Sequence, residues 1–120
     1  MPSDRPVRRL EDIIDNARAI QLYTAQMDLA AFAADPKTRD AVERCLERIC
    51  EAASKLGSLA TTLVPGQAWN EIRSLGNRLR HEYDVIQPDR IWDIVRLDVP
   101  ALEKACVEAL RNQSDDKSKS

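Results

Sequence analysis

From Val42 to Leu63 the apolar residues Val42, Cys45, Leu46, Ile49, Ala53, Leu56, Ala60 and Leu63 return every three or four positions. That period places them on one face of an α-helix, whereas a half-buried strand would alternate every second residue. The start of the run is marked as well. Asp35 carries an oxygen able to cap the first free N–H groups, and Pro36 suits the first helical position, where a missing N–H costs nothing. The spacing predicts a helix from Pro36 to Leu63 with Gly57 as its weak point.

The same period recurs on both sides of this run. Leu10, Ile13, Ile14, Ala17 and Ile20 predict a first helix beginning at Val7 and ending between Tyr23 and Met27, followed by a short extra turn over Leu29 to Ala34. After the break at Pro65-Gly66, Trp69, Ile72, Leu75, Leu79 and Tyr83 predict a third helix, and the short connection folds it back against the second. Pro88 opens a fourth, with Ile91, Ile94, Val95, Leu102, Cys106, Val107 and Leu110 facing inward and Pro100 bending it. Asn112 to Ser120 lacks apolar anchors and reads as a disordered tail outside a single helical domain of residues 1–111.

The fold class that follows is all-α, an up-and-down four-helix bundle. With 43% hydrophobic residues and only three glycines, the composition agrees, and no strand signals support a doubly wound sheet. Four helices can leave one apolar stripe uncovered, so a homodimer is expected.

Charge and residue counts exclude several functions. Eighteen basic against twenty acidic side chains leave a net charge of −2, too little positive surface to coat nucleic acid indiscriminately. No apolar run is long enough for a membrane span and the first nine residues do not resemble a signal peptide, so a cytoplasmic protein is expected. Cys45, Cys50 and Cys106 are odd in number and sit in apolar helical stretches, as reduced core residues do. With His81 the one histidine, a zinc site lacks ligands, and neither a metal nor another cofactor is expected.

The third helix concentrates the residues able to do chemistry. Along the helical segment from Arg73 to Asp84, Arg73, Asn77 and His81 share a flank at i, i+4 and i+8, together with Arg80 and Asp84. Arg78 reaches His81 from the other side. Gly76 falls near the buried stripe and lets a neighbouring helix come close. Such a group suits phosphodiester cleavage: an imidazole, with an unperturbed pKa of about 6.5, takes a proton from a 2′-hydroxyl or returns one to the leaving oxygen. Planar guanidinium groups match phosphate oxygens and stabilise the charge that grows on them, and Asn77 can add a hydrogen bond.

A simpler reading of the same residues is that positive charge decorates the C-terminal end of an exposed helix, where the dipole favours it. Tyr83, on the apolar stripe, is by the same reading a core residue. The row Glu43, Glu47 and Glu51, interleaved with Arg44 and Arg48, is an ion-paired surface. Trp69 and Trp92, at helix starts, are packing anchors.

The run Trp69-Asn-Glu-Ile-Arg-Ser-Leu-Gly-Asn-Arg-Leu-Arg-His-Glu-Tyr-Asp84 resembles the signature of HepT-like toxins of the HEPN superfamily, in which an arginine precedes, by four to six intervening residues, a histidine, one residue and a tyrosine. Asp35-Pro36-Lys37-Thr38, Glu47 to Ala53 and Ile91 to Leu102 are similar to the same family. The resemblance covers roughly Leu10 to Leu110 and implies a HEPN four-helix bundle, a homodimer with the motif near its cleft, and a metal-independent endoribonuclease acting on RNA. It also implies a nucleotidyltransferase antitoxin as partner, which adenylylates the motif tyrosine, here Tyr83. His81 and Tyr83 match position by position. The arginine does not: its three allowed positions hold Gly76, Leu75 and Ser74, leaving Arg73, Arg78 and Arg80 as candidates, with Arg73 favoured through Asn77. The alternative reading is a catalytically inactive helical dimer that binds a nucleotidyltransferase.

Overall fold

Three helices open on a proline, Pro6, Pro36 and Pro88, where a missing N–H costs nothing. The computed structural model describes residues 5–81 and 86–119, with side-chain surroundings for 5–81 and 86–113. Helix α1 spans Pro6–Thr24, α2 Leu29–Ala33 and α3 Pro36–Leu56. Asp35 caps α3 as expected, accepting from the Thr38 N–H at 3.2 Å and the Thr38 hydroxyl at 2.8 Å. Those bonds hold the Asp35 carboxyl below its ordinary pKa.

The second predicted helix is cut in two. Gly57 takes φ of +56° and closes α3, and the chain restarts as α4, Leu59–Leu63. Only glycine enters that backbone region without strain, so the predicted weak point is a break. Helix α5 covers Trp69–Arg80 and α6 covers Pro88–Asp93. A π-helical turn, Ile94–Asp98, then leads without interruption into α7, Val99–Lys119. The bend expected from Pro100 takes this form: Pro100 has no N–H to offer the Arg96 carbonyl, and the turn before it is widened, with the Val99 N–H bonded to Ile94 five residues back.

One expectation changes at the C-terminus. Asn112 to Lys119, read as a disordered tail, continues α7 as helix. Lack of apolar anchors does not itself end a helix, and no glycine or proline follows Pro100.

The long helices form an all-α, up-and-down bundle, with no strand among the described residues. Helix α1 is the central member, packed antiparallel to both α3 and α7. Leu10, Ile13, Ala17 and Ile20 of α1 are fully buried with Val42, Ala53 and Leu56 of α3 and Cys106 of α7. Glu103 of α7 ties the outer edge of α1, accepting from Arg18 at 3.0 Å and Gln21 at 2.6 Å. Helix α2 lies against α6, with Phe32 and Trp92 ring centroids 5.2 Å apart. No helix of the described residues is long and apolar enough to cross a membrane.

Helix α5 is placed differently. Among the long helices it packs extensively on α3 alone, antiparallel to it, which leaves a groove between α5 and the π-turn and start of α7.

Candidate functional site

Three attachments hold α5 to its neighbours. At its first residue the Trp69 indole N–H donates to the Val64 carbonyl at 3.0 Å. One turn on, Arg73 turns toward the end of α3: its Nη2 donates to the Gly57 carbonyl at 2.8 Å and the Ala53 carbonyl at 3.3 Å, and Nε to Ala53 at 3.4 Å. The Gly57 N–H bonds Ser54, so Ala53 has lost its helical donor and Arg73 replaces it. The remaining Nη1 donates to Asn70 Oδ1 at 3.4 Å.

The third attachment is Gly76. A Cβ at this position would stand 2.5 Å from Cys50 Cβ, closer than two carbons approach, so α5 crosses α3 at a point where neither backbone can withdraw without separating the helices. The close approach read from the sequence is present. One of the three positions that the motif allows for its arginine, position 76, has no room for a Cβ in this packing. Of the other two, Leu75 lines the groove and Ser74 is exposed.

The helix ends earlier than its apolar period predicts. Arg80 is the last helical residue; His81 has φ −94° and ψ 117°, is exposed, and donates its N–H to the Arg78 carbonyl at 3.3 Å. Gln87 is extended and Pro88 opens α6. The helix that carries Arg73 and Asn77 ends one residue before His81, which is its C-cap. Tyr83 and Asp84 lie outside the described residues.

The three candidate arginines part company. Arg73 is half-buried and engaged on the end of α3, away from the role of phosphate clamp that the i, i+4, i+8 spacing favoured. Arg78 is exposed and stands on the wall of the α5–α7 groove. Arg80 is exposed too and folds back along its own helix, its Nε donating to the Gly76 carbonyl at 3.3 Å. Asn77 is exposed on the same last turns. His81 follows Arg80 directly in the chain and bonds the Arg78 carbonyl through its backbone N–H, whereas Arg73 is held at the end of α3.

Arg90 joins Arg78 on the groove wall, a placement that no local spacing signals because it depends on how α6 meets α5. The groove measures roughly 460 Å³, and Ile72, Leu75, Ile94, Val99 and Leu102 give it an apolar lining.

The cysteines are core residues. Burial pushes the Cys50 thiol up to about 11, against the pull of Arg80, and the Cys106 thiol up to about 12. Glu43 is raised by partial burial and by its neighbour Asp40, and the acidic row beside it is paired, with Arg44 to Glu47 at 3.2 Å and Lys55 to Glu51 at 3.4 Å. Among the described residues no three His, Cys, Asp or Glu side chains converge as metal ligands.

The model of the family described as "Ribonuclease HepT-like" matches residues 13–109, from the middle of α1 to the middle of α7. The chain belongs to the HepT-like ribonuclease family. It is 33% identical over 102 residues to a probable ribonuclease HepT of Thermococcus cleftensis, spanning 85% of this chain and 92% of that protein. A putative RNase of Methanocaldococcus jannaschii is 35% identical over 103 residues, 86% and 85% of the two chains. Another, of Caldanaerobacter subterraneus subsp. tengcongensis, is 28% identical over 113 residues, 94% and 99%. No solved structure matches the chain significantly. The matched span includes the whole of α5 and His81.

Proposed function

We propose that this protein is an endoribonuclease toxin that cleaves RNA without a metal ion, with His81 moving the proton and exposed arginines beside it holding the phosphate. The observation that carries this reading is the position of His81. It leaves the end of α5 in an extended, exposed conformation beside Arg78 and Arg80, in a chain of the HepT-like ribonuclease family. In the reaction the 2′-oxygen forms a bond to phosphorus as the bond to the 5′-oxygen breaks. One proton leaves the 2′-hydroxyl and one reaches the leaving oxygen; His81 handles one of these transfers, water the other, and exchange with solvent restores its starting protonation. Guanidinium donors stabilise the added charge on the phosphate oxygens.

Wild-type protein expressed without its genomic neighbours is expected to cleave RNA in the presence of EDTA, and H81A to lose about 10²- to 10⁴-fold in rate. Equal cleavage by both proteins overturns the role of His81.

The same reading includes a nucleotidyltransferase antitoxin that adenylylates Tyr83. An adenylate two residues from His81 places negative charge where an anionic substrate must approach. Incubation with the nucleotidyltransferase and ATP is expected to add the mass of one AMP, and Y83F to abolish the addition. A homodimer is also part of it. The apolar groove beside α5 carries Arg78 and Arg90 together with Glu71 and Asp98, a mixture of signs that a two-fold related copy can complement. Leu75→Glu is expected to convert the dimer to a monomer in light scattering.

One observation favours a second reading, a catalytically inactive dimer that binds the nucleotidyltransferase: the motif's arginine is missing, and position 76 has no space for one. A stable complex with that partner, together with no cleavage of any RNA tested, decides for it.

A further inference from the structure

The motif requires a guanidinium near the histidine, and the structure shows where one stands. Arg80 leaves the last turn of α5 and runs back over Gly76, with Nε 3.3 Å from the Gly76 carbonyl. Its terminal Nη2 lies 3.4 Å from the point a Cβ on residue 76 would occupy. The guanidinium thus covers the place where an arginine side chain at position 76 would begin. Resting on the RNA-cleaving reading, we propose that Arg80 supplies from one turn later the phosphate-binding guanidinium that the motif assigns to the residue now replaced by Gly76.

Two further observations agree. The Arg80 charge pulls the buried Cys50 thiol downward against its burial, which places the cation at the crossing of α3 and α5. Arg80 is exposed and has no carboxylate partner among the described residues, so its Nη donors remain available to an anion. Arg73, by contrast, has its nitrogens engaged on Ala53, Gly57 and Asn70.

Gly76 and Arg80 then act as a linked pair. The absent side chain lets the helices touch and at the same time clears the surface along which Arg80 returns. The helix backbone sets the four-residue separation that makes the exchange possible, since residues four apart lie one above the other. Arg80 is also next to His81 in the chain, so proton transfer and charge stabilisation fall on consecutive residues.

The test compares R80A, R80K, R78A and R73A of the full chain in single-turnover cleavage, RNA affinity against salt, and thermal unfolding. R80A is expected to lose about 10²- to 10³-fold in the rate of cleavage. Its salt slope for single-stranded RNA should fall by about 0.7, the value for one phosphate contact, with the unfolding midpoint unchanged. R80K is expected to restore the slope and only part of the rate, because a lysine keeps the charge without the planar donor pair. R73A is expected to unfold earlier and keep the wild-type slope. If wild type cleaves RNA and R80A matches it in rate and slope, the assignment to Arg80 is overturned while the ribonuclease reading stands. If R78A rather than R80A loses both, the guanidinium belongs to the groove wall. Wild type that neither cleaves nor binds RNA overturns both readings together.

Discussion

The α1–α3–α7 side of this molecule and its α5 side are both built from amphipathic sequence, yet only one is enclosed. Helix α1 is covered by α3 on one flank and α7 on the other, and its apolar stripe from Leu10 to Ile20 is shut from solvent. Helix α5 packs extensively on α3 alone among the long helices, and Ile72 and Leu75 stay partly exposed beside the groove. The enclosed side carries stability through packed volume. The open side depends on a few specific attachments, Trp69 to Val64, Arg73 to the end of α3, and the Gly76–Cys50 crossing, and it carries the candidate site at its free end.

That contrast can be broken from either side. The largest effect is expected at the free end of α5, where H81A should remove most of the cleavage rate while calorimetry gives the wild-type midpoint, since His81 is exposed and outside the helix. A core substitution should do the reverse. Phe32→Ala, at a fully buried ring, is expected to cost about 3–5 kcal/mol in denaturant unfolding. Gly76→Ala puts a methyl against Cys50 and is expected to cost about 1–3 kcal/mol, with a shift of α5 that also slows cleavage. If it is neutral in both measurements, the crossing is looser than a contact that glycine alone permits. Arg73→Ala removes charged hydrogen bonds from the half-buried end of α3, and about 1.5–3 kcal/mol is the expected loss.

The smallest effects sharpen the comparison. The thiols of Cys50 and Cys106 stay protonated in the folded chain until pH rises toward 11 and 12, whereas unfolded thiols ionise near about 8.5. Above that lower value the unfolded state holds fewer protons than the folded one, so this contribution to stability is fully present below about 8.5 and declines as pH rises through the alkaline window. Stability measured against pH should fall there, and less steeply in Cys106→Ala after correction for its lower baseline. At the surface, Glu103→Gln weakens the tie to Arg18, whose side chain is 61% exposed. The expected cost is below about 1 kcal/mol.

Most of the bundle was legible because helix formation leaves a local trace. The cap at Asp35-Pro36, the breaks at Gly57 and Pro65-Gly66, and the disturbance before Pro100 all act within a turn or two of the residue that causes them. The C-terminal segment was misread because the absence of apolar anchors weakens packing without supplying a stop signal. In the candidate site, His81 was singled out by its chemistry, but its place just past the helix end was not foreseen. The apolar period carries through Leu79 to Tyr83, and nothing local announces that the helix ends at Arg80.

The sequence by itself determined the helices, the stripe each one buries, and a histidine among arginines at the end of the third, because period, caps and charge are properties of neighbouring residues. Tertiary structure alone decided what each arginine does. Arg73 meets carbonyls 16 and 20 residues back, and Gly76 meets Cys50 across a helix crossing, contacts that exist only once α5 has docked. Spacing on a helical wheel places side chains around an axis. Which of them is already occupied by a neighbour depends on the second helix.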